Sequence, residues 1–125
     1  LRRFMETAAE MHISDVCWCD AAGTELFDRD GIREQIDVLV GKMGELLTRA
    51  QTAGQVRSDV RALDIPVLLM AVAKSGLMLE DAVPGAWKRY LGIVLDGLRP
   101  EAARPLPRRP LSRREFEAAR GGQTP

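Results

Sequence analysis

The stretch IREQIDVLVGKMGELLTRAQTAG, residues 32–54, decides the fold. Its apolar residues Ile32, Ile36, Leu39, Met43, Leu46 and Ala50 alternate spacings of four and three. That rhythm lays a continuous apolar seam along one side of an α-helix. Arg33, Glu34, Asp37, Lys42, Glu45 and Arg49 fall largely on the other faces. Asp28 or Asp30 caps the start, and Gly54 stands where a left-handed C-terminal cap belongs. Gly41 and Gly44 each weaken the helix by up to about 1 kcal/mol relative to alanine, and they leave room for close packing beside it.

Downstream, Asp64 reads as the cap of a third segment with Pro66 in its first turn, where the missing N–H is harmless. Val67 to Leu79 is nearly all apolar, interrupted by Lys74 and Ser75. A helix apolar on most sides is buried on most sides. In so small a bundle that predicts a partner subunit on one face. A fourth helix runs from near Pro84-Gly85 to Pro100, with Trp87, Tyr90, Leu91, Val94, Leu95 and Leu98 as its stripe. Upstream, Leu1, Phe4, Met5, Ala8 and Met11 recur at helical spacing, and the segment extends to about Ala22 with a break near His12 to Asp15. No capping residue precedes Leu1, so the expectation is a helix cut through, with something removed upstream.

Residues 100–125 hold five of the seven prolines and several arginines. They read as a tail separate from the helical domain of residues 1–99. Ser112-Arg113-Arg114-Glu115 has the capping-box pattern, which predicts a short helix over 112–120. Leu111 and Phe116 would clip that helix back on the bundle. Strand signals and internal repeats are absent from the sequence. The fold class is all-α: an antiparallel bundle of about four to six helices.

Hydrophobic residues make up 46% and charged residues 29%, an ordinary folded composition. Lys+Arg and Asp+Glu are both 18, so the formal net charge is zero. A free-standing DNA-binding domain needs a basic excess to neutralise phosphates, and this chain offers none. No apolar run is long enough to span a bilayer, and no export signal is visible. Cys17 and Cys19 then suggest a reducing cytoplasm.

The residues at the second helix end resemble a known family. Leu46-Leu47-Thr48-Arg49-Ala50-Gln51-Thr52-Ala53-Gly54-Gln55-Val56-Arg57-Ser58-Asp59-Val60 is similar to the helix end and turn of TetR-family regulatory domains, with a "RAQ-AG-VR-DV" pattern. Trp87-Lys88-Arg89-Tyr90-Leu91 and Leu95-Asp96-Gly97-Leu98-Arg99 resemble that family's last helix. The likeness spans about residues 30 to 116. It implies a C-terminal body that binds a small apolar or amphipathic effector and forms a homodimer through its last two long helices. It further implies an N-terminal helix-turn-helix head, which this chain lacks, so operator DNA would be reached only through that missing head. Repression is the family's usual mode. A second reading is a stand-alone helical interaction module that heterodimerises with other regulators.

Cys17-Trp18-Cys19 is the most unusual local feature, but helical residues two apart point about 200° from each other. Neither metal nor redox spacing is present, and packing or pocket lining is the stronger reading. His12, the only histidine, has no positioned carboxylate or nucleophile, so no catalytic constellation exists. No cofactor, metal or enzymatic activity is expected. The expected ligand pocket comprises Phe4, Met11, His12, Trp18, Phe27, Met43, Leu47 and Met70, rich in adaptable methionine. The expected dimer seam comprises Leu77, Trp87, Tyr90, Leu91, Val94 and Leu98. Arg104, Arg108, Arg109, Arg113 and Arg114 cluster in the tail and read as a solvated basic patch.

Overall fold

The computed structural model describes residues 1–10 and 30–121. Helix α1 covers residues 2–10, α2 Asp30–Thr52, α3 Asp64–Leu79 and α4 Trp87–Gly97. A 3-10 turn follows at Pro100–Ala102, and α5 covers Arg113–Gly121. Among the described residues there is no strand, so the fold is all-α. None of the described helices is long and apolar enough to cross a membrane.

One cluster holds the body together. Met5 and Ala9 of α1, Met43 and Leu47 of α2, Ile65, Leu69 and Val72 of α3, and Trp87, Leu91, Leu95 and Leu98 at α4 are all buried in it, with Val60 from the α2–α3 connection. Each helix contributes at steps of three and four, as a helix with one inward stripe must. The N-terminal end of α3 (Val67, Leu68) and the C-terminal end of α4 (Val94, Leu98) lie together. The two helices therefore run antiparallel across the short connection between Leu79 and Trp87.

The end of α2 forms as its sequence requires. Gly54 adopts φ +74°. The Gln55 N–H donates to Ala50 O at 2.9 Å and the Gly54 N–H to Gln51 O at 3.0 Å. These are the paired bonds of a Schellman motif, which satisfy carbonyls that the helix itself leaves open. Gly44 permits a close approach, since a Cβ there would meet Ala62 Cβ at 3.4 Å. Gly41 faces open space instead.

Three local expectations are corrected. The buried line of α2 is Val40, Met43, Leu47 and Ala50, whereas Leu39 is 45% exposed and Leu46 only partly covered. The inward face is thus rotated by about one residue from the seam read in the sequence; the side chains of Ile32 and Ile36 lie outside the described set. Asp64 is the first helical residue rather than a cap: Leu63 holds the cap position, and the Asp64 carboxylate accepts from the Arg61 N–H at 2.8 Å. It tightens the turn that precedes α3. In the tail, Ser112 and Glu115 exchange bonds: Glu115 N–H donates to Ser112 Oγ at 3.2 Å, and Ser112 N–H to Glu115 Oε2 at 2.9 Å. Phe116 is buried against Val40, Leu63 and Ala62, but Leu111 stays exposed and does not join the clip.

Leu69 is 2% exposed at the centre of the cluster. Replacing it with alanine removes apolar contacts and leaves a cavity, a loss of about 2–5 kcal/mol. Urea unfolding of Leu69→Ala should show a lower midpoint at an unchanged slope.

Candidate functional site

The turn between α2 and α3 is built around Arg57. Its residue is buried although its side chain is charged. A buried guanidinium is tolerable only when its donors are matched. Arg57 Nε and Nη2 grip Asp59 Oδ1 and Oδ2 at 2.6 and 2.8 Å, a two-pronged pair. Nη2 also donates to Arg104 O at 2.5 Å and Nη1 to Gly97 O at 3.4 Å. The Arg57 backbone N–H donates to Leu98 O at 2.9 Å. One residue thus ties the α2–α3 turn to the end of α4 and to the tail. Gln51 holds the same turn from the α2 side, its Nε2 donating to Arg57 O at 3.0 Å and Val60 O at 2.9 Å.

Around this joint lies an open cleft of about 690 Å³. Its floor is the start of α3 and the end of α4, with Val67, Leu68, Val94, Gly97 and Leu98. Its roof is the tail, with Pro105, Leu106, Arg108, Arg109 and Pro110. Arg57, Asp59, Val60, Arg61 and Asp64 close one side. The tail is fixed beyond the cleft as well: Arg109 pairs with Glu115 at 2.5 Å, and Arg113 of α5 pairs with Asp37 of α2.

A second surface feature is the outer side of α3. Ile65, Leu69, Val72, Ala73 and Gly76 face the core. Val67, Met70, Ala71, Lys74, Leu77 and Met78 form the opposite face and are exposed, Met78 to 78%. On α4, Tyr90 and Ile93 are exposed beside the core stripe, Ile93 to 57%. Apolar side chains on both of these packed helices therefore meet solvent.

The expected site residues divide among these places. Phe4, Met43 and Leu47 share the central cluster, Phe4 only partly covered. Met70 lies on the open face of α3. Met11, His12, Trp18 and Phe27, like Cys17 and Cys19, lie outside the described residues. Of the expected seam, Leu77 and Tyr90 are on the exposed surface, Val94 is partly covered, and Trp87, Leu91 and Leu98 are buried in the chain's own core. Val67 and Met78 fall within the apolar run expected to meet a partner but were not singled out there, and Ile93 was not among the expected residues. Arg57 was missed as well; Asp59, two residues on, is its one partner within the same turn.

The family model described as the SbtR-like transcriptional regulator C-terminal domain matches residues 1–100. The chain belongs to that family, a family of TetR regulator C-terminal domains. Neither the curated proteins nor the solved structures give a match.

Two carboxylates record the grip of their arginines. Asp59 is held below its ordinary 3.8, first by the hydrogen bonds from Arg57. Glu115 is held far below 4.5, first by Arg109 and then by the N–H and hydroxyl of Ser112. Partial burial opposes both shifts and is outweighed. A carboxylate whose folded pKa is depressed stabilises the fold above its unfolded value and loses that contribution as pH falls through the folded one. The urea midpoint should therefore decline as pH drops below about 5. The Asp59→Asn, Glu115→Gln double variant should start lower at neutral pH and show a flatter acid decline.

Proposed function

We propose that this chain is the effector-binding and dimerisation domain of a TetR-type transcriptional regulator, a repressor acting in the cytoplasm. Operator DNA is contacted by a helix-turn-helix head outside these residues. A small apolar or amphipathic effector binds on the α1–α2 side of the body, around Phe4, Met43 and Leu47, with Met11, His12, Trp18 and Phe27 as further pocket residues. No turnover is involved. The effector acts through unequal affinity for two body conformations. Two heads must stand about 34–36 Å apart to enter successive major grooves, and the body sets that spacing.

The observation that carries the dimer is the two-sided α3. A monomer gains nothing from Val67, Met70, Leu77 and Met78 in water. A contiguous exposed apolar face marks an interaction surface. With Tyr90 and Ile93 of α4 it offers two helices to a two-fold partner, giving a four-helix interface. The second reading, pairing with a longer regulator instead of a second copy, uses the same face and fits the balanced charge equally well.

Sedimentation of the chain at micromolar concentration tests this. The expected result is a dimer, and a monomer at every concentration would remove the homodimer. Ile93→Glu should leave the helical signal unchanged. Two-fold symmetry buries the new charge twice, so the dimer dissociation constant should rise about a hundredfold or more.

A further inference from the structure

The cleft beneath the tail has the dimensions and chemistry of a ligand site, and it lies apart from the effector position proposed above on the α1–α2 side. Its volume of about 690 Å³ falls within the range of small-molecule sites. Its roof lies beyond residue 100, where the family match ends. The roof is held at both ends. Arg57 fixes the near end at Arg104 O, and Phe116, buried against Val40 and Leu63, fixes the far end. Between these anchors stand Pro105, Pro107 and Pro110. Proline has a fixed φ and no N–H, so this span resists collapse onto the floor. The cleft is kept open by covalent stiffness and two anchors.

The wall chemistry is asymmetric. Leu68, Val94 and Leu98 make an apolar floor, and Leu106, 50% exposed, hangs above it. The charges on the rim are unequal. Arg57 is committed to Asp59, and Arg109 to Glu115. Asp64 is committed to the Arg61 backbone. Arg61 and Arg108 also line the cleft, and neither is in an ion pair among the described residues. Arg61 Nη1 donates to Ser58 O at 3.1 Å, a neutral carbonyl that leaves its charge unpaired, and apolar walls beside the Arg61 and Arg108 guanidinium groups select for an anion that carries an apolar body. Guanidinium is well matched to a carboxylate in particular, through parallel N–H donors.

We infer that this cleft binds a small amphipathic carboxylate, with its acyl or aryl body between Leu106 and the Leu68–Val94–Leu98 floor and its head group at Arg61 and Arg108. Binding there links the tail to the α3–α4 ends, and of the cleft lining Val67 alone also belongs to the outer face of α3.

Calorimetric titration of the chain with decanoate, and with decanol as the uncharged analogue, tests the inference. The expected result is one decanoate per chain, with decanol bound at least about tenfold more weakly, as expected when a charge-assisted contact is lost. Arg108→Glu should weaken decanoate by about tenfold through reversal of an attractive charge, while Leu106→Asp should abolish binding. Both positions are exposed, so the unfolding midpoint of each variant should stay near that of the parent and keep the result interpretable. No decanoate binding, equal affinity for decanol, or binding indifferent to both substitutions would overturn the inference. So would dissociation of a dimer by Leu106→Asp without any decanoate site in the parent, since the cleft would then be filled by a second copy. Failure of the dimer reading appears in sedimentation of the parent chain and leaves this titration untouched.

Discussion

A guanidinium taken out of water must find its partners inside the protein, and Arg57 finds them in three separate parts of the chain. Its pair with Asp59 is local, but Gly97 O and Arg104 O come from α4 and the tail. Removing one side of such an arrangement strands the other. The α2–α3 turn, the end of α4 and the tail are therefore not independent. Gln51 closes the same joint from α2 with a neutral amide and two carbonyls. Ala50, Gln51, Gly54, Arg57, Asp59 and Val60 each acquire a physical role in that turn: helix-end core, amide clamp, left-handed cap, buried charge, counter-charge and core anchor.

The body around this joint is thin, and α3 shows what that entails. Five of its residues face the core, and its opposite face is apolar with a single lysine, Lys74. A domain of this size has too little interior to enclose a helix on all sides. The apolar excess of α3 meets solvent. The chain has no basic excess, and its surface chemistry turns on apolar faces and a few arginines.

Much of this was legible in the residues. Gly54 announced a left-handed cap because no other residue type adopts that φ freely, and Ser112 with Glu115 announced a reciprocal helix start. These are local rules, satisfied within four or five residues. What the sequence left open depends on neighbours. Periodicity gave α2 an inward stripe, but Leu39 and Val40 are only 100° apart on a helix, and the choice between them was settled by Phe116 arriving from the tail. Trp87, Leu91 and Leu98 were expected in the dimer seam, because core and interface demand the same apolar spacing; the structure buries them in the chain's own cluster with α3. Arg57 was hidden because its partners lie about forty and fifty residues away. No window of sequence shows such distances.

The chain between Arg104 and Ser112 belongs to no helix. No register fixes its length. Loop closure costs grow slowly with added residues, so descendants of this sequence are free to lengthen or shorten the span while keeping Arg57 and Phe116 as its end-points. The helices are the fixed frame in the mechanical sense, and the span above them is the adjustable part. Selection acting on those few residues alone can widen, narrow or recharge the space beneath without disturbing a single helix.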